Sequence, residues 1–229
     1  MKEDSKSESG LKSIARSIKH KIFPPKTTKK NFTTSEDYWN DRYETGGNSG
    51  AGSYSNLAEF KAEILNEFVK KNEIETVIEL GSGDGNQLEY FNFPKYLGFD
   101  ISDFILNKCR EKFKGDASKE FYQMNEIESH SAPLSLSLDV IYHLVEDSVF
   151  EIYMNQLFNC STSFVIIYAS NEKDDGTFAA HVKPRKFTDW VEANQTGFIL
   201  QEKIPNKFQF TEGDEESTSF ADFYIYKKK

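Results

Sequence analysis

From Glu75 onward the chain alternates short apolar runs with helical segments. The runs span residues 76–80, 96–99, 120–124, 134–138, 164–169, 198–203 and 222–226. Between them, helical patterning covers 87–90, 101–113, 149–158 and 187–194. Continuous apolar runs, rather than alternating ones, mark strands buried on both faces. Such strands interleaved with helices predict a parallel sheet covered on each side. The last two runs are joined by a long loop without a helical pattern, which predicts an antiparallel hairpin at one edge. The expected fold class is therefore α/β: a doubly wound, seven-stranded, mostly parallel sheet with an antiparallel last strand. A chain of 229 residues is long enough for one such domain.

The region before the sheet divides in two. Residues 1–35 hold nine Lys/Arg and three Asp/Glu, a net +6, so the overall −9 leaves −15 on the rest. Leu11, Ile14, Ala15, Ile18 and Ile22 recur at helical spacing with Lys12, Arg16, Lys19 and Lys21 mostly off that stripe, and Pro24-Pro25 follows. This predicts a basic, flexible tail with a short amphipathic helix over 11–22, suited to peripheral contact with an anionic membrane or a protein. The folded domain is expected over 36–229. Its first helix starts near Ser35, with Asp37 in the first turn. A Gly/Ser loop over 46–53 follows, then a helix over 57–71 with Leu57, Phe60, Ile64, Leu65 and Phe68 on one face.

Composition excludes several classes. The acidic body is a poor partner for nucleic acid. No run approaches the ~20 apolar residues of a membrane-spanning helix, and no secretory leader pattern opens the chain. Cys109 and Cys160 cannot alone form a disulfide framework or a four-ligand zinc site, so a reducing, cytoplasmic setting is expected. No H-E-x-x-H, C-x-x-C, phosphate-binding G-x-x-x-x-G-K-[ST] or G-x-S-x-G run occurs.

The run VIELGSGDGNQ, residues 77–87, carries the binding chemistry. A strand leads into a glycine-rich turn, the place where doubly wound sheets bind ligands. Its spacing is G-x-G-x-G; Asn86 stands where the third glycine of a dinucleotide fingerprint belongs. Glu79 and Asp84 would repel a pyrophosphate, and they suit an ammonium or sulfonium. Asp100, nineteen residues past Gly81 at the end of YLGFD, is placed to hold a ribose diol. A ribose and a positive charge without pyrophosphate point to S-adenosylmethionine.

With IELGSGDG and GFD in place, the chain resembles class I S-adenosylmethionine-dependent methyltransferases of a bacterial small-molecule or saccharide-type subgroup, over residues 36–229. The resemblance implies a Rossmann-like methyltransferase fold with an antiparallel last strand. It implies that Glu79, Gly81, Ser82 and Gly83 line the methionine part of the cofactor, that Asp100 holds the ribose, and that Ile101 packs on the adenine. Asn125 or Glu126 would then lie near the adenine amino group. The segment 38–54, YWNDRYETGGNSGAGSY, resembles the leading segment of that subgroup, a helix and loop that fold over the cofactor. Arg42 would clamp the methionine carboxylate, and Tyr38 and Trp39 would line the same cavity.

The acceptor site is expected just after the fourth strand. There Asp139 and His143 stand four apart; on a helical segment they share a face. A carboxylate raises and orients imidazole basicity, which makes them a candidate general base, with Tyr142 beside the substrate. The run HVKPRKFTDW, residues 181–190, contributes His181 and Arg185 in a cationic cluster suited to an anionic acceptor. The expected function is O-methylation of a small polar molecule or saccharide. The alternatives are a non-catalytic cofactor-binding regulatory or scaffold module, and a nicotinamide oxidoreductase, which Asn86 and Glu79 disfavour.

Overall fold

The computed structural model describes residues 32–174, 176 and 178–229. The expected tail helix over 11–22 lies outside the described residues. Seven strands form one sheet: β1 (Val77–Leu80), β2 (Tyr96–Asp100), β3 (Lys119–Gln123), β4 (Ala132–Leu138), β5 (Ser161–Ala169), β6 (Phe198–Ile204) and β7 (Asp222–Lys228). Their order is β3-β2-β1-β4-β5-β7-β6. The first five pair in parallel, and β7 runs antiparallel between β5 and β6. The expected edge hairpin is therefore present, with β6 outermost.

Alternate residues of each strand feed two cores. On one face Val77, Tyr96, Leu136, Ile166 and Phe223 pack with Leu65 and Val69 of α2 (Ser55–Lys71) and Leu106 of α3 (Asp103–Lys112). On the other, Ile78, Leu97, Val165 and Tyr224 pack with Met154 and Leu157 of α4 (Asp147–Asn159) and Phe187 of α5 (Phe187–Asn194). The link between β1 and β2 holds only a 3₁₀ turn, Gln87–Tyr90, so α2, from before the sheet, covers that face instead.

The first helix, α1 (Ser35–Glu44), begins one residue after its cap. Thr34 accepts a hydrogen bond from the Asp37 N–H at 3.0 Å. Ser35 is committed elsewhere: its N–H and hydroxyl both donate to Glu146, and its Oγ accepts from the Val145 N–H. This stitches α1 across the carboxyl ends of the strands, over the segment that follows β4.

Candidate functional site

The turn after β1 is built for close approach. Gly81 has φ +81°, and a side chain there would run into Val140. Asp100, buried at the end of β2, accepts from the Gly83 N–H and the Ser102 N–H, both at 3.0 Å. The Ile101 N–H adds a third backbone hydrogen bond, which still leaves acceptor capacity on the carboxylate for a ligand. Burial raises the Asp100 carboxyl above its ordinary value. Glu79, also buried, accepts from the Tyr96 hydroxyl at 2.6 Å, and burial pushes its carboxyl up to about 7.

These residues open onto a cavity of about 480 Å³ lined by Glu79, Gly81, Ser82, Asp100, Ile101 and Asn125 among others. Within it the buried Ser82 Oγ and Gln87 Oε1 have no hydrogen-bond partner. Unsatisfied buried polar atoms in residues that line a cavity call for an explanation, and a ligand polar group is one. Exposed apolar side chains, Ile101, Val149 and Ile152, rim the opening. Three expected cofactor residues, Gly83, Glu126 and Arg42, lie outside this lining. Gly83 acts through its N–H on Asp100. Glu126 folds back as half of a capping box, its Oε1 accepting from the Gln123 N–H at 2.9 Å. Between Asn125 and Glu126, therefore, the structure sets Asn125 at the cavity.

Asp84 also lines this cavity, and its carboxylate has a second task. Its carboxylate accepts from the Ser49 N–H and the Tyr54 hydroxyl, both at 2.8 Å, and from the Asn86 N–H. Ser49 Oγ in turn accepts from the Asp84 N–H at 2.9 Å. Asp84 thus pins the loop after α1 onto the turn. Arg42 is likewise used locally: Nε donates to the Asn48 carbonyl at 2.6 Å, and the guanidinium lies over Trp39. It lines a second, neighbouring cavity rather than the first.

The second cavity, of about 910 Å³, is walled by Tyr38, Trp39, Tyr142, His143 and His181, with Phe210 and Phe220 also on its lining. Tyr38 stacks on His181 at 4.3 Å, and the Trp39 edge meets His143 at 4.9 Å. Trp39, Ser49, Asp139 and His143 line both cavities.

The expected Asp139–His143 dyad is replaced by a different partnership. The segment after β4 makes only a 3₁₀ turn, Ile141–His143, and Asp139 precedes it with φ +61°. Its carboxylate goes to Lys61 Nζ at 2.7 Å and to the Tyr142 hydroxyl at 2.9 Å. His143 instead sets Nδ1 3.2 Å from the His181 carbonyl. That contact requires Nδ1 to carry the proton, which leaves the lone pair of the neutral ring on Nε2. Burial drives its pKa down to about 3, so basicity is lowered where sequence spacing predicted a rise.

Arg185 lies outside both linings. Its guanidinium bonds Asp147 and the carbonyls of Leu144 and Val145, and sits 4.3 Å over Phe150. Lys183 pairs with Asp147 and Lys186 with Asp189. Arg185 and Lys183 are thus spent on bracing the segment between β4 and α4, Lys186 pairs within the start of α5, and of the cluster's proposed substrate residues His181 reaches the cavity. Lys61 and Tyr43 were not singled out by sequence reasoning. Lys61 stands four residues from both Leu57 and Leu65, on the buried stripe of α2, and that placement is the signal.

Among the described residues no cluster of three or more His, Cys, Asp or Glu could hold a metal, and no helix is long and apolar enough to cross a membrane.

No protein-family model matches the chain, and no curated protein matches it at a significant level. Solved structures do. The chain is similar to the N-methyltransferase NodS from Bradyrhizobium japonicum WM9 in complex with S-adenosyl-L-homocysteine, with TM-score 0.65, 10% identity, and coverage of 86% of this chain and 99% of that one. It is similar to magnesium protoporphyrin IX methyltransferase (ChlM) from Synechocystis PCC 6803 with bound SAH, with TM-score 0.60, 13% identity, and 85% and 97% coverage. It also resembles the methyltransferase domain of a bacterial Hen1 protein, with TM-score 0.56, 18% identity, and 75% and 100% coverage. At such identities the likeness is one of fold, and the fold is the seven-stranded, Rossmann-like fold of methyltransferases.

Proposed function

We propose that this chain is an S-adenosylmethionine-dependent methyltransferase that methylates an oxygen on a small polar molecule or saccharide. The observation that carries the reading is the smaller cavity. It combines a buried Asp100 with spare lone pairs, an apolar Ile101 shelf, Asn125 and an unpartnered Ser82 hydroxyl, all at the carboxyl ends of β1 and β2. Neighbours of the same fold hold S-adenosylhomocysteine or S-adenosylmethionine, which supports the same ligand here.

The residues fit that cofactor part by part. Asp100 receives the ribose diol with the acceptor capacity that the Gly83, Ile101 and Ser102 N–H groups leave. Ile101 packs on the adenine and Asn125 meets its polar edge. Ser82 gains a polar partner, and Glu79 faces the cationic methionine end. When bound, the cofactor supplies a methyl group already activated by a positively charged sulfur. What remains for the protein is to align the acceptor and take its proton.

The larger cavity suits the acceptor. Flat aromatic walls such as Tyr38 and Trp39 match the apolar face of a sugar or another ring. At the junction with the smaller cavity, Asp139 presents a carboxylate, an acceptor, and the neutral His143 ring stands in the same wall. A hydroxyl held there donates to the carboxylate and passes its proton on as the methyl group arrives. The low basicity of His143 favours one other reading, a non-catalytic module that binds the cofactor for regulation or scaffolding.

A screen of hydroxylated acceptors, read out as S-adenosylhomocysteine released, separates the two. Acceptor-dependent release that falls at least tenfold in His143→Ala supports the enzyme. Cofactor binding without release across the screen supports the module.

A further inference from the structure

The Lys61 ammonium is fully buried in α2, donates to Asp139 Oδ2 at 2.7 Å, lies 5.1 Å from the centre of the Tyr168 ring, and its charge also acts on the Glu79 carboxyl. The other Asp139 oxygen, Oδ1, receives the Tyr142 hydroxyl at 2.9 Å. Behind the carboxylate the backbone of Gly52 packs so closely that a Cβ there would lie 2.6 Å from Oδ2. Asp139 itself adopts φ +61°, a left-handed conformation uncommon outside glycine. Strain of this kind persists where surrounding structure fixes a residue for a purpose. Asp139 is also one of the few residues common to the walls of both cavities. A carboxylate gripped by two donors, backed by a glycine and set on a strained backbone can turn in no direction without losing a partner.

We propose that Lys61 is a positioning residue that aims the Asp139 carboxylate at the junction of the two cavities, where the transferred methyl group and the acceptor meet. This rests on the reading of the smaller cavity as a cofactor site. Without Lys61, the carboxylate is left with little exposure and no counter-ion, a costly state. It escapes by swinging toward water or by taking a proton, and either way it ceases to present an anionic acceptor at the junction.

The test compares two ligands by calorimetry in the full chain. S-Adenosylhomocysteine has nothing in the methyl position. Sinefungin, in which an ammonium-bearing carbon replaces the methylated sulfur, places a cationic donor there. The wild type is expected to prefer sinefungin. Asp139→Asn lowers the sinefungin-to-homocysteine affinity ratio about tenfold, as expected for one charge-assisted hydrogen bond. Lys61→Met lowers it by a similar factor, and adds nothing further in the Asp139→Asn background. A merely structural role for Lys61 would weaken both ligands alike and leave the ratio where it was.

The proposal is overturned if Lys61→Met keeps or raises the ratio while Asp139→Asn loses it, or if Asp139→Asn leaves the ratio intact. Should Lys61→Met fail to fold, Lys61→Gln, shorter and uncharged, takes its place with the same expected fall. Binding of neither ligand by the wild type would instead remove the cofactor reading on which the inference rests.

Discussion

Glu79, buried, and His143, half-buried, titrate away from their ordinary ranges because desolvation disfavours their charged forms, and each shift has a stability consequence. The Glu79 carboxyl, raised to about 7 by burial, binds its proton more tightly folded than unfolded. Its contribution is therefore fully present below the unfolded value near 4.5 and is lost as pH rises through about 7. Glu79→Gln should remove that loss, so its melting temperature relative to wild type should improve between pH 5 and 8 in a thermal-denaturation series. A cationic ligand end beside Glu79 favours the ionised form. Binding of S-adenosylhomocysteine at pH 6.5 should accordingly release protons, seen as a dependence of calorimetric heat on buffer ionisation enthalpy. His143 works the other way. Its pKa falls to about 3, so the unfolded ring binds the proton more readily. Stability is intact above about 6.5 and erodes as pH drops toward 3; His143→Phe should flatten that acid limb. Lys61→Met leaves the half-buried Asp139 without its counter-ion. Its expected cost is about 3–5 kcal/mol in urea denaturation, largely recovered when Asp139→Asn neutralises the partner.

Two segments before the sheet close over the site, and each is fastened by named contacts. Helix α1 hangs on Glu146, which takes both the N–H and the hydroxyl of Ser35. The following loop hangs on Asp84 through Ser49 and Tyr54. Tyr43, buried in α1, bonds the same Ser49 at 3.3 Å. Glu146→Ala should therefore speed amide exchange over residues 35–54 while leaving β1, β4 and β5 protected, and should weaken S-adenosylhomocysteine binding. Gly83 sits where this loop meets the turn, at φ +59° and against the Ser49 hydroxyl. Gly83→Ala faces a left-handed penalty of roughly 1–2 kcal/mol and a collision, so it should undock the loop as Glu146→Ala does. A melting curve and the same exchange experiment check both variants.

At the scale of the whole molecule, the sheet was legible because its central strands β1, β2 and β4 are buried on both faces, and burial of that kind writes itself as an uninterrupted string; the half-buried β3 and the exposed edge strand β6 read more weakly. The ligand turn was legible for a similar reason: Gly81 is needed where a side chain would strike Val140. The site beyond the turn was much less so. Spacing put Asp139 and His143 on one helical face, but a helix did not form there; a left-handed Asp139 followed by a 3₁₀ turn sends the carboxylate to Lys61 on a helix 78 residues earlier. Arg185 and Arg42 read as ligand-binding cations because sequence shows a charge and not its partners, here Asp147 and Asn48. Long-range pairing of polar groups carries no periodicity, and Lys61 shows what trace it does leave: one charge on an otherwise buried stripe. Cofactor binding depends on the smaller cavity and on Asp100 in particular. Titration of the full chain with S-adenosylhomocysteine tests it most directly. One-to-one binding that falls at least a hundredfold in Asp100→Ala is the predicted result; no heat with the wild type, or equal affinity in the variant, would contradict it.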